Sequence, residues 1–180
     1  NEANQMSRVS LGEWATDRLR QPCEVLVIGG GATGLGVALE AALEGRRVAL
    51  VEARDFACGT SSRSTKLLHG GVRYLAQGRL KLVKEALHER AIVLALAPHL
   101  AQPIPFVVAQ KTWFSLFITA LGLKLYGALA GRLGLGPTQL IGASTLKQMA
   151  PTLTDCVAGV RYWDGQFEDA RMALALARTA

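Results

Sequence analysis

CEVLVIGGGATGLGVALEAALEGRRVALVE, residues 23–52, is the stretch that decides the fold. Residues 23–28 (CEVLVI) form a short β-branched run of the kind that makes a buried parallel strand. It runs straight into Gly29-Gly30-Gly31-Ala32-Thr33-Gly34, which satisfies GxGxxG at Gly29, Gly31 and Gly34. Residues 35–43 then read as a helix that Gly45 ends, and residues 46–51 (RRVALV) as a second strand closed by Glu52. The motif is weak alone, but between a strand and a helix it has the context it needs. Gly29 allows the tight turn, Gly31 lets the backbone approach a pyrophosphate, and Gly34 lets helix and strand pack closely. Free amides and the positive end of the helix dipole face the phosphates. Glu52 lies 21 residues beyond Gly31, where an acid accepts hydrogen bonds from ribose hydroxyls and disfavours a 2′-phosphate.

Length and composition allow one domain, or one and a part. It has 180 residues, half of them hydrophobic and 19% charged, which excludes a disordered polypeptide. Twenty basic against fourteen acidic residues give +6, favouring phosphates, other anions or a membrane surface. Three scattered cysteines, Cys23, Cys58 and Cys156, exclude a disulfide framework or zinc ribbon and fit a reducing compartment; no metal site is expected. Residues 1–21 read as a polar arm without a secretory signal, and both ends read as cuts.

The fingerprint alone does not choose between NAD and FAD. The next segment, GTSSRSTKLLHGGVRYL at 59–75, puts five hydroxyl residues and a glycine within seven positions, then a basic residue and a Gly-Gly pair. Such a run is a poor core element and a good lining for a phosphate-bearing ligand. Arg73 follows the Gly-Gly turn, where its planar fork suits a phosphate. Tyr74 adds a hydroxyl, and His69 sits beside flexible glycines with a side chain type suited to proton transfer near neutrality.

Together with EALHERAIVLALAPHLAQPIPFV (85–107) and YWDGQFEDARMALALARTA (162–180), these motifs resemble the FAD-dependent glycerol-3-phosphate dehydrogenases, close kin of the α-glycerophosphate oxidases. The resemblance covers about the N-terminal third of such proteins and is weakest between 111 and 142. It implies a Rossmann-like, three-layer FAD-binding domain with a parallel sheet, interrupted by an α+β substrate or cap domain. The expected segments are the FAD-binding domain at 22–102, the cap at 103–163 and a return at 164–180.

It further implies oxidation of sn-glycerol 3-phosphate to dihydroxyacetone phosphate, with hydride passing from C2 to flavin N5. Electrons go on to a membrane quinone, or to oxygen in the oxidases, and this piece alone is expected to be inactive. Arg73 then contacts substrate phosphate, with Tyr74 and His69 beside it; whether His69 is the general base stays open. FAD contacts fall to Gly29, Gly30, Gly31, Ala32, Thr33, Gly34 and Glu52, and to Thr60, Ser61, Ser62, Ser64, Thr65, Lys66, His69, Gly70 and Gly71. Peripheral attachment to the cytoplasmic side of an inner membrane is implied, a homodimer stays open, and nucleic acid is not expected as a partner. An NAD-dependent dehydrogenase, a basic binding module and a flavoenzyme for another hydroxy acid or an amine are the rival readings.

The second half carries two more signals. An amphipathic helix at 80–97 puts Leu80, Val83, Leu87, Ala91 and Leu94 on one face. Residues 104–109 (IPFVVA), bracketed by Pro103 and Pro105, read as an edge strand. Twelve uncharged residues at 112–123 fall short of a membrane span. They are expected to form a cap helix with Phe114, Phe117, Ile118, Leu121 and Leu125 on one face, or else a monotopic patch. Residues 159–163 are expected as a strand, Asp164-Gly165 as a turn, and Asp169 as the cap of a last helix.

Overall fold

The computed structural model describes residues 22–180, so the arm expected at 1–21 lies outside the described residues. The chain divides into two compact units, one running up to Ser64 and resuming at Asp169–Ala180, the other Thr65–Glu168.

In the first unit β1 (Val25–Ile28) pairs in parallel with β2 (Val48–Val51), from Val25↔Val48 to Ile28↔Val51. Helix α1 (Ala32–Leu43) joins them and begins three residues before the expected start, because Gly31, in an extended conformation, serves directly as its N-cap. Gly45, at φ +77°, closes the helix, its amide donating to Ala42 and that of Arg46 to Ala41. Both strands start two residues late, where Glu24 takes over the polar groups by accepting from the Arg47 amide at 3.0 Å. Leu35, Ala57 and Ala173 form the core, Ala173 coming from α6 (Asp169–Thr179). Only Val27 of β1 is buried, whereas Leu26 and Ile28 are 58% and 81% exposed. The run expected as a fully buried strand is thus covered on one face among the described residues.

The second unit is built on an antiparallel sheet. Its central strand β6 (Ala158–Phe167) pairs along its whole length with β4 (Ala101–Gln110). Its other edge is shared by β3 (Leu67–Leu68) and β5 (Gln139–Gly142). As expected, β4 is an edge strand, and Pro103 and Pro105 share one parity, so both missing donors fall on the unpaired side. The expected turn at Asp164-Gly165 is corrected: both residues lie inside β6. Gly165 packs against Leu68, where a Cβ would come 2.8 Å from the Leu68 carbonyl oxygen, and Asp164 points into the protein.

The short helix α2 (Val72–Leu75), α3 (Leu80–Leu96) and α4 (Trp113–Ala130) supply the helical side, and α5 (Ala143–Met149) follows β5. Val83 and Leu87 of α3 pack with Tyr126 and Ala130 of α4, while Leu116 and Leu123 of α4 pack with Ala158 and Val160 of β6. This packing ties residues 65–102 to the sheet, so that they belong to the second compact unit. The expected apolar face of α4 is the outward one: Phe114 is 77% exposed and Phe117 64%, while Leu116, Leu123 and Tyr126 face the sheet. The helix continues past Lys124, and the stretch Trp113–Leu133 is long and apolar enough to cross a membrane by length and composition.

Candidate functional site

Two groups of sequence-predicted residues are each brought together, one in each unit. In the first, the β1–α1 turn is shaped by contacts that tolerate no side chain. Gly29 sits at φ +110° and donates its amide to Val51 at 2.8 Å. A Cβ on Gly34 would fall 2.0 Å from the Gly29 carbonyl oxygen, so helix and strand meet backbone to backbone. Ala32 donates its amide to Ser61 Oγ at 2.9 Å, which brings the 3-10 turn Thr60–Ser62 against the loop. The first amides of an α-helix have no partner within the helix. Those of Thr33 and Gly34 also have no protein acceptor among the described residues. They are the donors that an anionic diphosphate requires.

Glu52 stands beside this loop. Its Oε2 accepts from the Gly30 amide at 2.6 Å and its Oε1 from the Arg54 amide at 2.9 Å. The Gly30 amide, followed by that of Arg54, holds the carboxyl below the usual glutamate range. An ionised carboxylate has about four acceptor positions, so two bonds leave capacity for a ribose diol. The loop therefore fits the nucleotide half of FAD on its own geometry.

The hydroxyl run divides. Ser62 Oγ reaches the Gly59 carbonyl at 3.5 Å, and Ser64 Oγ donates to Asp169 Oδ2 at 2.7 Å. Asp169, expected as the cap of α6, is its first residue and accepts from the Ala170 amide at 2.8 Å. Thr60 is exposed on the 3-10 turn.

Thr65 and Lys66 open the second unit, with Lys66 at φ +59° and its carbonyl accepting from the Phe167 amide at 3.0 Å. Beyond β3 the chain turns through His69, Gly70 and Gly71 into α2, which carries Arg73 and Tyr74. His69 and Arg73 are exposed and Tyr74 is 39% exposed, so the three project from one short segment. His69 Nδ1 accepts from the Gly71 amide at 3.1 Å. Beneath the turn lies a buried cluster that the sequence reading missed: Arg90, Asp164 and Tyr126. Arg90 Nη1 meets Asp164 Oδ1 at 2.9 Å, with side chains 2% and 1% exposed. One signal was available, since Arg90 continues the Val83–Leu87 stripe and so puts a charge on the inward face of α3.

The family model described as DAO, FAD dependent oxidoreductase, matches residues 24–180. The chain is 49% identical over 166 residues to the mitochondrial glycerol-3-phosphate dehydrogenase of Macaca fascicularis, covering 87% of this chain and 23% of that protein. The glycerol-3-phosphate dehydrogenase of Bacillus halodurans, solved with FAD, matches with a TM-score of 0.61 and 28% identity, over 91% of this chain and 25% of that one. The reduced L-α-glycerophosphate oxidase of Mycoplasma pneumoniae, with FAD bound, matches with a TM-score of 0.65 and 19% identity, over 88% of this chain and 42% of that one, and shows the shared fold. The chain spans about a quarter of the length of the curated relative.

Proposed function

The chain belongs to the FAD dependent oxidoreductase family, and from that membership we propose that the enzyme carrying it oxidises sn-glycerol 3-phosphate to dihydroxyacetone phosphate. The observation that carries this substrate is the 49% identity to a glycerol-3-phosphate dehydrogenase over 166 residues. The rival readings as an NAD-dependent dehydrogenase or a basic binding module have no comparable support. Bound FAD supplies the two-electron acceptor for a secondary alcohol.

Each group in the chain then has a task. The amides of Thr33 and Gly34, in the turn made by Gly29, Gly30, Gly31 and Ala32, hold the diphosphate, and Glu52 holds the ribose. Thr60, Ser61, Ser62 and Ser64 of the first unit, and Thr65, Lys66, Gly70 and Gly71 of the second, belong to the segment assigned to the rest of the cofactor. The exposed guanidinium of Arg73 takes the substrate phosphate, with the Tyr74 hydroxyl as a second donor. With Nδ1 accepting from Gly71, the neutral His69 ring carries its proton on Nε2 and donates to a substrate oxygen. Accepting the C2 hydroxyl proton at Nε2 requires His69 to release that bond.

The outward face of α4 supports a peripheral membrane contact. Trp113 is 70% exposed, Phe114 77% and Leu121 58%, and Lys111 and Lys124 flank them. Such a contact suits an enzyme on the cytoplasmic side of an inner membrane that passes electrons to a quinone. The decisive experiment is anaerobic: sn-glycerol 3-phosphate is expected to bleach the flavin of the full-length enzyme. Bleaching by lactate or an amino acid instead would remove the substrate assignment. Reoxidation by a quinone or by oxygen then separates dehydrogenase from oxidase.

A further inference from the structure

Asp164 gathers four donors inside the second unit. Arg90 Nη1 and the Tyr126 hydroxyl each lie at 2.9 Å, the Gly165 amide at 3.2 Å and the Gly70 amide at 3.3 Å. Tyr126 completes a ring of bonds, because its oxygen also accepts from the Gly70 amide at 2.8 Å. Arg90 uses Nη2 on the Leu133 carbonyl at 3.1 Å. A buried ion pair seldom stabilises a fold more than well-packed apolar groups of the same volume, so stability alone does not explain it. What it does is present fixed oxygens to one backbone amide. Gly70 is pressed onto that spot: a Cβ there would lie 2.4 Å from both Leu87 Cδ2 and the Tyr126 oxygen. His69 is the residue before and Arg73 lies three residues after.

We infer that Arg90, Asp164 and Tyr126 form a positioning assembly that fixes the Gly70 amide, and with it the directions in which His69 and Arg73 leave the turn. The three act through the turn, as positioning residues rather than catalytic ones. Burial, reinforced by the Asp164 carboxylate, pushes the Tyr126 phenol well above its ordinary range, so it stays a donor to Asp164 across the working pH. The inference rests on the roles proposed above for His69 and Arg73.

The test is Tyr126→Phe in the full-length holoenzyme, which keeps the ring packed on Val83 and Leu87 and removes only the hydroxyl. Expected are unchanged flavin content and a thermal midpoint lowered by no more than a few degrees, with kcat/KM for sn-glycerol 3-phosphate lowered by about tenfold per bound flavin. Amide hydrogen exchange is expected to rise across 69–73 while β6 keeps its protection. Activity lost only in proportion to lost flavin or folded protein, or exchange raised evenly through the unit, would overturn the inference. So would a variant indistinguishable from wild type. If Tyr126→Phe yields no folded enzyme, Arg90→Lys, which keeps the charge and loses the planar fork, is read by the same measurements. If the wild-type flavin ignores glycerol 3-phosphate, the functional reading fails, and local against uniform exchange still decides the positioning role.

Discussion

At Gly34 one hydrogen atom decides whether the nucleotide loop exists. The atom a methyl group would meet is the Gly29 carbonyl oxygen at 2.0 Å, backbone that has nowhere to move. Gly34→Ala is therefore expected to destabilise the full-length enzyme by about 1–3 kcal/mol and to empty it of FAD, read by urea unfolding and flavin absorbance. Asp164→Asn strands a buried guanidinium, and the expected loss is about 3–5 kcal/mol in the same unfolding measurement. Arg73 is exposed, so Arg73→Ala should spare FAD content and raise KM for the phosphate substrate roughly tenfold or more. The Tyr126 phenol is raised by burial first and by Asp164 second. A raised pKa gives stability that is complete below the unfolded value, about 10, and is lost as pH climbs toward the folded one. Tyr126→Phe should accordingly flatten the alkaline fall in stability that wild type shows. The glycines were legible because their reason is steric and local. Asp164 was not, because its partner Arg90 is 74 residues away and Asp-Gly reads locally as a turn.

Elements repeat that contrast between local and distant causes. The β4 edge could be read from Pro103 and Pro105, since a residue without an amide hydrogen cannot donate to a central ladder. The α1 stop at Gly45 could be read for the same kind of reason. By contrast β6 was halved, because its continuation through Asp164 and Gly165 is enforced by pairing with β3. The periodicity of α4 named a real apolar face, but this helix is apolar nearly all round, and pattern alone does not say which side meets the sheet. Phe117→Glu is expected to change unfolding free energy by no more than about 0.5 kcal/mol, as for other exposed positions. It is also expected to reduce co-sedimentation of the full-length enzyme with anionic vesicles; undiminished binding would remove α4 from the membrane contact.

For the whole molecule, the parallel nucleotide-binding pairing was legible in the sequence, whereas the antiparallel sheet of the second unit, expected only as an α+β cap, was not. Packing of α3 and β3 with the second sheet, rather than any proline or glycine signal, joins residues 65–102 to that unit. The surplus of basic residues, +6 overall, is in keeping with a phosphate-bearing cofactor.

The position of the dinucleotide is measured directly by a crystal structure of the full-length enzyme with FAD. It should show diphosphate oxygens accepting from the Thr33 and Gly34 amides, with Glu52 accepting from the ribose. A diphosphate seated away from the β1–α1 turn, with those amides facing solvent, would contradict it.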